Sequence, residues 1–125
     1  ILNQFIMKRG INKVTLMGNV GDDPRVNQIN DTMKVARFPL ATNEVYLDKE
    51  GNQVQKTEWH TVVFWNKAAD IVEAYVRKGI PLYVEGKIQS STWEDKEGQK
   101  RYSFEISGDN FVFIDGKREE VKEEE

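Results

Sequence analysis

Nucleophilic catalysis needs a histidine or a cysteine beside the attacking group, or a lysine beside a serine. This sequence offers one histidine, His60, and no cysteine. If His60 lies on a strand, the residues sharing its face are Glu58 and Val62, which build no relay. The glycine-bearing stretch "GNVGDDP" lacks the Lys-Ser/Thr pair that would make it a phosphate loop. Asp22 and Asp23 fall in that turn cluster, where hydration is their expected role. No catalytic centre, metal site or cofactor is therefore expected.

The aromatics carry more information. In "TEWHTVVFWNK", Thr57 to Lys67, strand alternation puts Trp59, Thr61, Val63 and Trp65 on one face. Glu58, His60, Val62 and Phe64 take the other. A large aromatic is usually core. Val62 and Phe64 already supply an apolar face, however, and both faces of a barrel strand cannot reach the same core. Trp59 and Trp65 are thus either filling or an outward stacking surface, and periodicity leaves both open. Trp93 shares a face with Lys87, Gln89 and Ser91, so exposure is expected there. Tyr46 sits in the polar run "EVYLDK".

Lysines interleave with these rings: Lys13, Lys49, Lys56, Lys67 and Lys87, with Lys96 and Lys100 near a hairpin tip. Any one of them alone is an ordinary solvated side chain. Together with exposed rings they match the chemistry of single-stranded nucleic-acid binding. A base stacked on an aromatic contributes ~1–3 kcal/mol whatever its identity, and lysines neutralise phosphates with release of counterions. His60 faces away from the tryptophans. It is either a half-buried neutral histidine, bonded to Glu58 or a backbone carbonyl, or a residue at a subunit contact.

Positioning such a surface requires strands. "INKVTLMGNV" alternates and is a first strand, with Gly18 suggesting a bulge or bend. "RVNQI" is a short strand and "MKVARFPLATN" a longer one, where Pro39 marks an edge or bulge. Glu44–Lys56 is polar and is expected to be a long hairpin loop. Thr57–Trp65 is the third long strand. "NKAADIVEAYVRKG" changes period, with Ala68, Ile71, Val72, Tyr75 and Val76 as a helical stripe. Asn66 is its expected N-cap, Asp70 and Glu73 lie nearer its start, and Arg77, Lys78 and Gly79 mark its end. A hairpin follows, turning at "DKEG", with Tyr102, Phe104 and Ile106 opening the return strand and "FVFI" as a last short strand. Three strands, one helix and two strands predict an all-β, five-stranded Greek-key barrel of the oligonucleotide/oligosaccharide-binding (OB) type, with one helix between strands 3 and 4.

The 125 residues fit one such domain, over 11–114, after an N-terminal extension of residues 1–10. Met7 offers a natural start, leaving 1–6 as an upstream remainder. No run approaches the ~20 apolar residues of a membrane helix, so no membrane partner is expected. The net charge is −3, and all of it lies in residues 115–125, "DGKREEVKEEE", an acidic tail expected to be disordered. The remainder is neutral, which does not exclude phosphate binding if the basic residues share a face.

The strings "NKVTLMGNVGDDP", "LATNE", "KTEWHTVVFWNKAADIVEAYVRKG", "LYVEGKI" and "TWEDKEGQKRYSFEI" resemble the homotetrameric single-stranded DNA-binding protein family of bacteria and mitochondria. The likeness runs from about Arg9 to Ile114, in order. It implies a tetramer of OB folds that binds single-stranded DNA without sequence preference, protecting it in replication, recombination and repair. It carries the stacking role onto Trp59 and Trp93. Tyr46 stands where the family has a loop tryptophan, and Trp65 where it has a phenylalanine. Phosphate contacts fall on Lys13, Lys49, Lys67 and Lys78, and a monomer contact on His60. Thr61 replaces a common arginine, and Ser91-Thr92 a common basic pair, so a shallower salt dependence is expected. In bacterial members an acidic tip recruits replication and repair enzymes. The sequence ends without one, so that partnership is expected only if the natural protein is longer. A cytoplasmic bacterial location is expected over a mitochondrial one. The alternatives are a replication-restart accessory OB protein acting through protein contacts, and an OB binder of carbohydrate or RNA.

Overall fold

The computed structural model describes residues 9–114. In order, the elements are β1 (Val14–Val20), β2 (Arg25–Asn30), β3 (Met33–Leu47), β4 (Gln53–Trp65), α1 (Asn66–Tyr75), β5 (Pro81–Glu94) and β6 (Lys100–Phe113). The tail over 115–125 and nearly all of the extension over 1–10 lie outside the described residues.

The sheet runs β1-β5-β6-β4-β3-β2, and a further β1–β3 pairing closes a ring of five strands. β2 is the sixth strand, paired on β3 beside β1. The five-stranded barrel is borne out, with its helix between the fourth and fifth segments rather than the third and fourth because the short "RVNQI" strand is counted. All the ladders are antiparallel except β4–β6, which pairs Val62 with Ile106 and Val63 with Ser107 in parallel.

The interior follows from alternation. Phe38, Leu40, Val62, Phe64, Leu82 and Val84 are buried at 1 % exposure or less and form one cluster with Val72 and Val76 of the helical segment. The Phe64 ring meets Phe111 edge-on at 4.8 Å and lies near-parallel to Phe38 at 6.3 Å, an aromatic arrangement that adds to its burial energy.

Several local expectations need correction. Glu44–Lys56 is not a loop. β3 and β4 stay paired out to Leu47–Gln53, and only residues 48–52 turn. This arm projects past the barrel, so both its faces are wet and no apolar period marks it as strand. The same "DKEG" string closes both arms. In each the aspartate N–H donates to the carbonyl four residues on, and the glycine N–H donates back to the aspartate carbonyl (Asp48/Asn52 and Asp95/Gln99). Gly51 and Gly98 take φ +82° and +80°, where a side chain would be strained.

Gly18 carries no bulge. It pairs in register with Leu82, and its Cα hydrogens face the Ala41 carbonyl where β1 crosses from β5 to β3. Pro39 is in the middle of β3, opposite Thr61, but its missing N–H falls between the β1 and β2 ladders, where its carbonyl takes Gly21 N–H at 2.9 Å.

The helix is shorter than expected. Val76 caps its end by donating to Val72 O, and Arg77 Nη1 reaches back to the carbonyls of Glu73 and Val76. Gly79, at φ +94°, lies past this cap and donates to Val20 O. Ile71 and Tyr75, expected inside, are exposed, while Ala69 is buried. Asn66 is not the N-cap: that position is Trp65, without a side-chain cap bond. Asn66 has φ +53°, and its Oδ1 accepts the Lys34 N–H at 2.9 Å. Asp70 and Glu73 both hold Lys34 Nζ at 2.6 Å, fastening the helix to β3.

Candidate nucleic-acid interface

The outer face of β4 is built by the alternation that fills the core. Across it on β3, Ala41 opposes Trp59, Pro39 opposes Thr61, Arg37 opposes Val63 and Val35 opposes Trp65. Residues opposed across a ladder share a face and touch.

Trp59 is 62 % exposed. It is nevertheless held. Cζ3 and Cη2 of its ring come so close to Gly21 Cα that a methyl group there would collide with them, and Pro39 borders the same spot. One side of the indole rests on this glycine–proline floor, leaving the rest in solvent. An aromatic supported in this way presents a flat surface at little further entropic cost, which is what a base needs for stacking. The core alternative for Trp59 is thereby removed.

Trp65 differs. It is half-buried, sits directly across from the fully buried Val35, and its extended backbone (φ −122°, ψ 145°) leads into α1. Val63 is buried on this outer face at 1 % exposure, and the strand parity does not anticipate that. Arg37 Nε and Glu105 Oε2 join at 2.8 Å from the strands either side of it. The β4 face from Trp59 to Trp65 is therefore mixed: the exposed Thr61 separates Trp59 from the buried Val63 and the half-buried Trp65.

Trp93 is 50 % exposed, near the tip of the β5–β6 arm, opposite Arg101. Its strand face continues through Ser91, Gln89 and Lys87, and this is the outer face of the same sheet that carries Trp59. Tyr46 is 49 % exposed but opposes Val54, which places it on the other pleat face of the β3–β4 arm, in line with Lys56 and His60. The sheet thus shares one face among Trp59, Trp65 and Trp93 and sets Tyr46 on the reverse of its arm.

Lys13, Lys49, Lys67, Lys78 and Lys87 are exposed and make no ion pair among the described residues. Lys56 is paired with Glu58 at 3.4 Å. Lys49 and Lys96 occupy matching positions in the two DKEG tips. Lys13 precedes β1 on the face that pairs Thr15 with Glu85, next to Lys87. Lys78 is anchored through its backbone, whose N–H donates to Asp23 Oδ1 at 2.8 Å. Asp23 is thus a structural tie rather than a hydrated turn residue.

His60 is half-buried, and its Nε2 lies 2.9 Å from Thr42 Oγ1, not bonded to Glu58 or a carbonyl. Tyr83, on the outer face of β5, donates its hydroxyl to Glu85 Oε2 at 2.6 Å, which raises its pKa above that of an ordinary phenol. Among the described residues, no group of three His, Cys, Asp or Glu side chains is placed to hold a metal ion.

Sequence reasoning passed over Tyr102 and Phe104. They were expected to begin an apolar return strand, yet they are 66 % and 69 % exposed. The signal was available: their cross-strand partners are Thr92 and Ser90, and core positions are seldom faced by hydroxyls.

The model of the single-strand binding protein family matches residues 11–114, the whole barrel with both arms. The chain belongs to the single-strand binding protein family. Within the family it is similar to single-stranded DNA-binding protein 1 of Chlorobaculum tepidum, 45 % identical over 101 residues, covering 80 % of this chain and 62 % of that protein. It is also similar to a single-stranded DNA-binding protein of Xylella fastidiosa, 41 % identical over 111 residues, covering 89 % of this chain and 68 % of that one. The chain therefore spans less than two thirds of the Chlorobaculum relative. Among solved structures, the single-strand binding protein of Plasmodium falciparum in complex with single-stranded DNA superposes with a TM-score of 0.77 at 34 % identity. That match covers 88 % of this chain and all of the other.

Proposed function

We propose that this chain binds single-stranded DNA regardless of sequence, as one protomer of a homotetramer, and protects it during replication, recombination and repair. Trp59 and Trp93 stack bases on the outer sheet face, Trp65 extends that face, and Tyr46 adds a ring on the β3–β4 arm. Lys13, Lys49, Lys67, Lys78 and Lys87 meet phosphates, with Lys56 joining once released from Glu58. His60 belongs to a contact between protomers. Such a role suits the cytoplasm of a bacterium.

The observation that carries this reading is Trp59, exposed over most of its surface yet propped on Gly21 and Pro39. Family membership and the DNA-bound relative support it. The test is titration with oligo-dT while following intrinsic tryptophan fluorescence. Strong quenching that salt reverses is expected, and no quenching at micromolar DNA would overturn the reading.

A further inference from the structure

The β5–β6 arm has two faces, and Trp93 accounts for only one. On the reverse face, β6 presents Lys100, Tyr102 and Phe104 at alternate positions. Tyr102 and Phe104 are the most exposed aromatic side chains among the described residues. Opposite them stand Glu94, Thr92 and Ser90, and Ile88 closes the row where it meets the barrel. Two rings in solvent are costly to leave bare on a two-stranded arm, so this face calls for an occupant.

We infer that Tyr102 and Phe104 form a second base-stacking platform, so that single-stranded DNA is held on both faces of this arm. The inference rests on the DNA-binding reading above. Four features select DNA over a protein partner. Alternate residues of a strand lie about 6.8 Å apart, a separation that neighbouring bases of one extended strand can bridge. Lys100 continues the row outward and Lys96 stands at the tip, giving phosphate partners beside the rings; of the nearby carboxylates, Asp95 is taken by Arg101, while Glu94 faces Lys100 and Glu97 follows Lys96. The hydroxyls of Ser90 and Thr92 line the facing strand as donors to phosphate or sugar oxygens. The platform is also continuous with the Trp93 surface, because it is the back of the same two strands. A strand crossing the DKEG tip therefore passes from one ring set to the other.

The experiment compares oligo-dT binding by the wild-type chain, Trp59→Ala, the double variant Tyr102→Ala/Phe104→Ala, and the ring-preserving double variant Tyr102→Phe/Phe104→Tyr. Each is measured alongside sedimentation. At least about fivefold weaker binding is expected for the alanine double variant, with unchanged sedimentation and with wild-type affinity in the ring-preserving variant. Photocrosslinking of a halogenated-uracil oligonucleotide to the peptide holding Tyr102 and Phe104 is expected as well. Unchanged affinity in the alanine double variant would overturn the inference, as would a change in sedimentation, which would make this face a contact between copies. If Trp59→Ala weakens binding while the double variant does not, only this inference fails. If the wild-type chain does not bind, the DNA-binding reading itself fails.

Discussion

Trp59 lies on Gly21, with its six-membered ring over the place a Cβ would occupy. Gly21 is fixed there by its own N–H, which donates to the Pro39 carbonyl at 2.9 Å. The segment that follows β1 and the most exposed tryptophan are thus one unit. The outer end of an indole can swing aside, whereas backbone cannot. Gly21→Ala is therefore expected to displace the ring while sparing the fold. DNA affinity should fall by about 1 kcal/mol, part of the value of a stacked base, with a melting temperature close to that of the wild type. Trp59→Ala should cost the full ~1–3 kcal/mol. Phe64→Ala should instead unfold or severely destabilise the domain, by about 3–5 kcal/mol, since that ring is buried in the core. Paired oligo-dT titrations and thermal melts check all three. A Gly21→Ala protein with normal binding would show that the support is incidental.

Electrostatics divide the lysines. Each phosphate contact on a single strand contributes about 0.7 to the slope of log affinity against log salt. Lys87, exposed and without an ion pair among the described residues, should take about that amount with it when replaced by alanine. Lys34 is committed to Asp70 and Glu73. Lys34→Ala should leave the slope unchanged and lower the melting temperature instead. Salt titrations of the two variants separate the roles, and equal slopes for Lys87→Ala and the wild type would remove Lys87 from the interface.

What was legible in the sequence was whatever the core imposes. Val62 and Phe64 already supplied one apolar face, which made an outward Trp59 one of two open readings, and the change of period after Trp65 revealed the helix. Beyond the barrel the arms have no dry side, so the alternation fades. That is why Glu44 to Lys56 resembled a loop and why Phe104 resembled a core residue. Tertiary ties were hidden too. The Arg37–Glu105 pair joins strands across 68 positions, and Val63, between those strands on the face opposite Val62 and Phe64, is buried. Asn66 has the right chemistry for a cap, but its side chain is taken by Lys34 N–H from β3.

Asn66 tests that last point. Its positive φ is tolerated best by glycine and next best by asparagine. Asn66→Ala loses the bond to Lys34 N–H and adds backbone strain, so a loss of about 2–3 kcal/mol is expected. Asn66→Gly loses the bond but not the backbone freedom, and about 1 kcal/mol should go. Denaturant melts of the two variants give the comparison. A glycine variant less stable than the alanine one would contradict this account.

His60 probes assembly. Its bond to Thr42 Oγ1 holds the ring at the mouth of the β3–β4 arm, half-buried within the protomer. His60→Tyr removes that bond and enlarges the side chain where the proposed protomer contact lies. Dissociation to smaller species at low protein concentration is expected in sedimentation, with stacking by Trp59 intact in the fluorescence assay. An unchanged assembly state across the concentration range would move the contact elsewhere.

Acid should loosen the tip of the β5–β6 arm before the barrel. Asp95 Oδ1 accepts the backbone N–H groups of Gln99 at 2.8 Å and Glu97 at 2.9 Å, and Oδ2 accepts Arg101 Nε at 3.0 Å. These bonds, that from Gln99 foremost, hold the carboxyl below the usual aspartate range. A lowered folded-state pKa means the charged form is favoured by the fold. The stabilisation is then fully present above the unfolded value of about 3.9 and is lost as pH falls through the lower folded one. The amide resonances of Glu97 and Gln99 should therefore titrate with a midpoint below about 3.9. In Asp95→Asn that step should vanish, because the amide has no proton to gain in this range. Titration of the wild-type tip at or above the ordinary aspartate value would mean that these bonds do not favour the carboxylate.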